Sequence, residues 1–199
     1  MEFCKEHMNE DKNNWIYTDE SNFRLSRNTI GVWTKEQKVY KDNSNKKSSL
    51  MVWGAISKRG KSPLHIFKPG ETENQQKYQQ ILEKEFLGWN DKIFPNGNSV
   101  FYQDNAKPHV GKKVSSWMEE NIPQKINSPP YSPDLNPIEN VWSILKNNVE
   151  KSEPKNLREL KKSINTSWEE LDQQTINKCI DHSFSQMNQV FKHSGSYLE

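Results

Sequence analysis

Two cysteines in 199 residues, Cys4 and Cys179, are too few and too far apart for a disulfide scaffold or for the paired spacings of a zinc site. A reducing, intracellular setting is expected from that usage. No apolar run approaches the roughly 20 residues a membrane-spanning helix needs, and no basic-then-apolar stretch opens the chain as a secretion signal would. Charge of one sign is scarce as well, since 28 Lys and Arg against 26 Asp and Glu leave only +2. With 32% hydrophobic residues and a mean hydropathy of −1.05, the chain is polar, and disorder is the first alternative. Seven Trp and eight Phe, with little net charge to hold the chain open, argue instead for one folded domain with a thin core.

The small net charge hides a local excess. Between Lys35 and Lys68 lie nine basic residues, among them Lys46, Lys47, Lys58, Arg59 and Lys61, opposed only by Glu36 and Asp42. A stretch carrying +7 suits a phosphate backbone, although a solvated hairpin would look the same.

Periodicity orders the elements. Trp15-Ile-Tyr-Thr-Asp19 and Ser99-Val-Phe-Tyr-Gln-Asp104 are aromatic and β-branched, and each reads as a strand ending in a carboxylate. A further strand is expected within Thr29–Tyr40. Leu50–Ile56 is nearly all apolar, as a strand buried on both faces would be. Leu64–Phe67 extends a hairpin across the Lys58–Pro63 turn. Helical spacing appears over Glu73–Leu87 and at Val110, Val114, Trp117 and Met118. A short strand at Gln124–Asn127 and a proline-rich connection, Ser128–Pro137, follow. Three apolar stripes, from Ile138, from Leu157 and from Ile176, predict three closing helices. Strands and helices in this order predict an α/β domain with a mixed sheet covered by helices.

Neighbouring strand ends converge at one sheet edge, where open α/β sheets bind ligands. If the Asp19 and Asp104 strands are neighbours, two carboxylates meet there, and a divalent cation would relieve their repulsion. Unrelated aspartates in turns would give the same pattern. Glu139 has two readings. Asn136-Pro-Ile-Glu139 fits N-cap to N3 of the following helix, so Glu139 is placed to close a capping box. On a 3.6-residue helix it also lies about 100° from Ile138, at the margin of the buried stripe, able to lean toward the sheet edge.

Tyr102-Gln-Asp-Asn-Ala-Lys-Pro-His109 resembles the second-aspartate motif of the Tc/mariner superfamily of transposases. Ser132-Pro-Asp-Leu-Asn-Pro-Ile-Glu-Asn-Val-Trp142 resembles its third-carboxylate motif, and 34 residues separate Asp104 from Glu139, as in the branch that ends in glutamate. Thr18-Asp-Glu-Ser-Asn-Phe23 resembles the first-aspartate motif, and Val52-Trp-Gly-Ala-Ile56 the strand after it. The matches run in order from about Trp15 to Val149.

That resemblance implies an RNase H-like mixed β-sheet flanked by helices, with additional C-terminal helices. Residues 1–199 would form a single catalytic domain, with 1–14 as lead-in and 151–199 as the C-terminal helices. The helix-turn-helix regions that precede it in the family would be absent. It also implies Asp19, Asp104 and Glu139 as metal ligands and catalytic residues for two Mg²⁺ or Mn²⁺ ions, roughly 3.5–4 Å apart. The partners implied are double-stranded DNA, as transposon ends and as target, and further copies of the chain, acting in the nucleus. Water would first cut the element's end, and the freed 3′-hydroxyl would then attack the target. Lys46, Lys47, Lys58, Arg59, Lys61 and His109 are candidate DNA contacts, although His109 also suits a plain helix entry. Glu20 follows Asp19 on a strand, points to the opposite face and is not expected to share its metal. His65 reads as ordinary surface. A stand-alone nuclease of this fold, or a host-adopted or truncated DNA-binding scaffold without catalysis, remain alternatives.

Overall fold

The computed structural model describes residues 2–7, 12–25, 49–122, 124–129, 132 and 135–192. The strand expected within Thr29–Tyr40, and Lys46 and Lys47, lie outside these residues. A mixed sheet organises the fold. Strand β1 (Trp15–Arg24) pairs antiparallel with β2 (Ser49–Ser57) and parallel with β5 (Val100–Gln103), which pairs parallel with β6 (Lys125–Asn127). Beyond β2 lie the short β3 (Gly60–Lys61) and β4 (His65–Ile66), both antiparallel to it. The expected hairpin is thus present; Asp19 lies within β1, and Asp104 directly follows β5, the strand next to it.

The ten residues of β1 run well past Asp19, which corrects its expected place at a strand end. Val52 and Leu50 remain as buried partners for Ser21 and Phe23 after the parallel ladder with β5 has stopped, so the strand continues along β2. Side chains of β1 alternate between two cores, as a period of two requires. Trp15, Tyr17 and Phe23 join Val52, Ile56 and Tyr102 under α5 (Ile138–Lys151), α6 (Leu157–Glu170) and α7 (Gln173–Lys192). Ile16 joins Trp53, Ala55 and Phe101 on the opposite face, under the helices between Gln75 and Asn121.

On that second face α2 (Gln75–Ile81) passes through a π-turn (Leu82–Phe86) into α3 (Leu87–Ile93), and α4 (Lys112–Asn121) lies alongside. The helix expected over Glu73–Leu87 starts two residues later and runs six further. Asn74 sets its start, with Oδ1 accepting from Lys77 N at 2.9 Å. The π-turn resets the helix phase so that Leu82, Phe86 and Asn90 all stay buried. His65, expected on the surface, is instead partly buried, 3.4 Å from Glu85, because β4 is paired to β2 rather than free.

Gly54 decides how closely the α5 face approaches. It sits opposite Asp19 in the β1–β2 ladder, directly beneath Trp142. A Cβ there would lie 2.9 Å from the Trp142 ring, 3.2 Å from Leu64 and 3.3 Å from Trp168. The two indoles stack with centroids 5.5 Å apart, and Trp168 Nε1 donates to Ser62 O at 2.9 Å, so neither ring is free to withdraw. Gly54→Ala should therefore destabilise the domain by about 1–3 kcal/mol, the range for overpacking a filled core. Thermal unfolding checks this, and an unchanged Tm would mean that the stack yields at no cost.

Candidate active site

The β1–β5 ladder ends with Tyr17 opposite Tyr102, and two steps further along the same register Asp19 comes opposite Asp104. The β1–β5 ladder has stopped there, while Asp19 is still paired with Gly54 of β2. Thr18 Oγ1 donates to Tyr102 O at 3.0 Å and fixes this end of the ladder. Asp19 Oδ2 accepts from Trp142 Nε1 at 3.1 Å. Burial, with the charges of Glu20 and Glu139 next and Asp104 after them, pushes its pKa up to about 8. Asp104 is more exposed and opens a turn. Its Oδ1 accepts from Ala106 N at 2.9 Å and lies 2.6 Å from His109 Nδ1. Burial works to raise its pKa, but these two donors prevail and hold it below the usual carboxylate range.

Helix α5 brings the third carboxylate. Its entry is pinned to β1, because Asn136 Nδ2 donates to Thr18 O at 3.2 Å while Ser183 Oγ donates to Leu135 O at 3.1 Å. Asn136 Oδ1 reaches Ile138 N only at 3.5 Å, and Pro137 already has helical geometry. The capping box is not closed: Glu139 N bonds to Asn136 O at 3.1 Å, but its carboxylate takes no hydrogen bond among the described residues. The cause is positional, since Asn136 has turned its side chain toward β1. Glu139 is half-buried one helical turn before Trp142. Burial raises its pKa first, with Lys146 opposing and Asp104 adding.

A second cluster occupies the other face of the sheet. Glu20 alternates away from Asp19, as expected, and meets Glu73, two residues before α2, and His109. One ligand atom from each of these lies within 4.8 Å of the other two, and theirs is the one such set among the described residues. Asp19, Asp104 and Glu139 are spread more widely than that. His109 is 2% exposed and its ring stacks on Tyr78 at 4.0 Å. Its Nε2 lies 3.3 Å from Glu73 and 3.5 Å from Glu20. Burial alone would lower its pKa, but hydrogen bonds to Asp104, Glu20 and Glu73 outweigh that and push it up to about 12. Glu20 rises to about 7, from burial first, against the pull of His109. Sequence reasoning missed Glu73 altogether. It stands alone in a loop, and no local pattern marks it.

The candidate DNA contacts fare unevenly. His109 presents no ring edge to a phosphate, because it is enclosed and both nitrogens face carboxylates. Lys61 is turned inward, its Nζ donating to Glu169 O at 3.0 Å and to the carbonyls of Trp168 and Leu171, where it caps α6. Lys58 pairs with Asp181 at 2.6 Å. Arg59 lies over the Phe94 ring and donates to Asn14 at 2.7 Å, yet it stays exposed.

Comparison with known proteins gives this arrangement a family. The DDE superfamily endonuclease profile matches residues 14–161. The transposable element Tc3 transposase of Caenorhabditis elegans is 26% identical over 204 residues, covering 98% of this chain and 61% of that protein. The Tc1 transposase of the same organism is 26% identical over 190 residues, 90% of this chain and 68% of its own length. The catalytic domain of Mos1 mariner transposase superposes with a TM-score of 0.79 at 18% identity, covering 100% of this chain and 93% of that one. The Mos1 paired-end complex with Mg superposes at 0.81 and 18% identity, over 100% of this chain and 62% of that one. The chain belongs to the DDE superfamily endonucleases, in their Tc/mariner branch, and has the RNase H-like fold of the Mos1 catalytic domain. It spans about three-fifths of the length of the Tc3 relative.

The crowding of carboxylates has a measurable sign. Asp19 loses its proton near 3.8 when unfolded but near 8 when folded. The native state therefore binds more protons between those values. The stability tied to this group is complete below about pH 4 and is lost as pH rises to about 8. Without divalent metal, Asp19→Asn should raise Tm at pH 8, and the gap should close toward pH 4. Asparagine keeps an acceptor for Trp142. A variant less stable than the parent at pH 8 would show that the Asp19 charge is already compensated.

Proposed function

We propose that this chain is the part of a cut-and-paste DNA transposase that cleaves and joins strands, with Asp19, Asp104 and Glu139 holding Mg²⁺ or Mn²⁺. One observation carries the reading: two adjacent strands and one pinned helix bring three carboxylates toward the same sheet edge, with no salt bridge from Lys or Arg to any of them among the described residues, Lys146 acting on Glu139 only from a longer range. Metal fits this donor set on chemical grounds. All three are hard oxygen ligands, and Asp19 and Glu139 carry raised pKa values that a divalent cation would reverse. Bound metal supplies Lewis-acid polarisation of the phosphate and a more acidic attacking hydroxyl.

The chain's own groups do the positioning. Trp142 holds Oδ2 of Asp19. Ala106 and His109 occupy Oδ1 of Asp104, so that Oδ2 is the atom free to act as ligand. Glu139 needs no rearrangement of a cap to reach inward. In the first step a water oxygen forms a bond to phosphorus as the P–O3′ bond breaks. In the second, the freed 3′-hydroxyl attacks a target phosphate and displaces another 3′-oxygen. DNA as substrate puts the work in the nucleus, and acting on two ends calls for more than one copy of the chain. The Mos1 paired-end complex, which contains Mg, supports both the metal and the DNA partner by likeness.

Glu139 discriminates this reading from a structural one. Glu139→Gln should leave the metal-free Tm no lower than the parent's, since the side chain closes no cap and its charge only adds to the crowding at Asp19, and Glu139→Ala should show no loss of the size a broken cap would give. Both should reduce Mn²⁺-dependent nicking of supercoiled plasmid by orders of magnitude, because neither supplies the charge a hard cation prefers. Nicking by the glutamine variant at the parental rate would remove Glu139 from the site.

A further inference from the structure

We propose that His109 is a positioning residue for Asp104, clamped from the far side of the sheet by Glu20 and Glu73. The inference rests on the reading of Asp104 as a metal ligand. Three constraints fix the imidazole. Its face stacks on Tyr78 with centroids 4.0 Å apart and planes 28° from parallel. Its Nδ1 lies 2.6 Å from Asp104 Oδ1, and its Nε2 faces Glu73 at 3.3 Å and Glu20 at 3.5 Å. Tyr78 in turn donates through its hydroxyl to Gln103 Oε1 at 2.8 Å, the residue before Asp104, and Gln103 Nε2 reaches back to His109 O at 3.5 Å. Among the described residues the partners of both ring nitrogens are carboxylate oxygens, so the ring donates from both edges. The result is a continuous chain from Glu73 and Glu20 through the imidazole to one oxygen of Asp104.

Fold stability does not ask for this arrangement. Glu20 Oε1 and Glu73 Oε1 are enclosed without a hydrogen-bond partner, and burying polar atoms unpaired is unfavourable. Apolar side chains of similar size would pack the same space better. A histidine retained merely to fill the core would be served by one backbone carbonyl. Two buried glutamates instead make sense if the orientation of the ring, and through it of Asp104, is what must be held. Partners that orient a metal ligand in this way commonly change metal affinity about 10–100-fold when removed.

The test is Mn²⁺ binding by calorimetry on the 199-residue chain without DNA, with Tm measured on every variant. Asparagine at 109 places its amide nitrogen near the position of Nδ1, whereas glutamine reaches toward Glu73 and Glu20 and offers nothing to Asp104. His109→Gln should weaken Mn²⁺ binding about 10–100-fold, and His109→Asn should restore most of it. Asp104→Asn should abolish it. If Asp104→Asn loses binding while a folded His109→Gln binds as the parent does, the positioning role is wrong and the proposed function stands. Parental binding by Asp104→Asn would remove the ligand on which both readings rest. Should His109→Gln fail to fold, Glu73→Gln keeps the shape and weakens the clamp. It should lower Mn²⁺ affinity in the same direction, and unchanged affinity would overturn the proposal. Mn²⁺ retained by Asp104→Asn but lost by Glu73→Gln would make the cluster a cation site in its own right and overturn it equally.

Discussion

Successive side chains of an extended strand leave the sheet on opposite faces, and at Asp19 and Glu20 this separates two carboxylates that are adjacent in sequence. Asp19 goes to the face covered by α5, where Trp142 is its hydrogen-bond partner. Glu20 goes to the face covered by α2 and α4, where His109 and Glu73 are its neighbours. A shift of β1 by one residue would exchange them and would also expose Trp15 and Tyr17 to the wrong core. The register is therefore held by the largest side chains in the domain, and the placement of the charges follows from apolar packing rather than from the charges themselves.

The other pieces are placed by equally local means. Gly54 lacks the Cβ that would keep Trp142 away from the sheet, so the indole comes down over the glycine opposite Asp19 and donates to that carboxylate. A hydrogen bond to a charged acceptor contributes roughly 1.5–3 kcal/mol. That is too little to offset the burial and mutual repulsion that raise the Asp19 pKa to about 8. The net outcome is a carboxyl that keeps its proton up to about pH 8 unless a cation takes the proton's place. Asp104 differs because two donors already occupy its Oδ1, and its lowered pKa makes it the carboxylate most ready to bind a cation.

Much of this was legible in the chain. The aromatic and β-branched runs marked β1 and β5, and the meeting of their aspartates was expected on the condition, which the sheet meets, that the two strands are neighbours. The 3.6-residue stripes marked α5 to α7. Other features were hidden because they depend on contacts distant in sequence. Where β1 ends is set by β2, not by Asp19, so a carboxylate in mid-strand looked terminal. The continuation of α2 into α3 depends on a π-turn that rephases the apolar stripe, which a fixed period cannot represent. Asn136 has the sequence of a cap, but its amide is drawn to Thr18 O across the fold. Glu73 could be recognised only once α2 and α4 were packed against the same face as Glu20. Lys61 resembles a phosphate contact in a basic stretch, until the end of α6 is found beside it.

The central claim is that metal binds on the Asp19 face of the sheet and not in the tighter Glu20 cluster behind it. Anomalous scattering from crystals grown with Mn²⁺ would locate the ion directly. The account predicts manganese peaks coordinated by Asp19, Asp104 and Glu139, with none between Glu20, Glu73 and His109. A fully occupied peak on the His109 side, with the Asp19 edge empty, would contradict it.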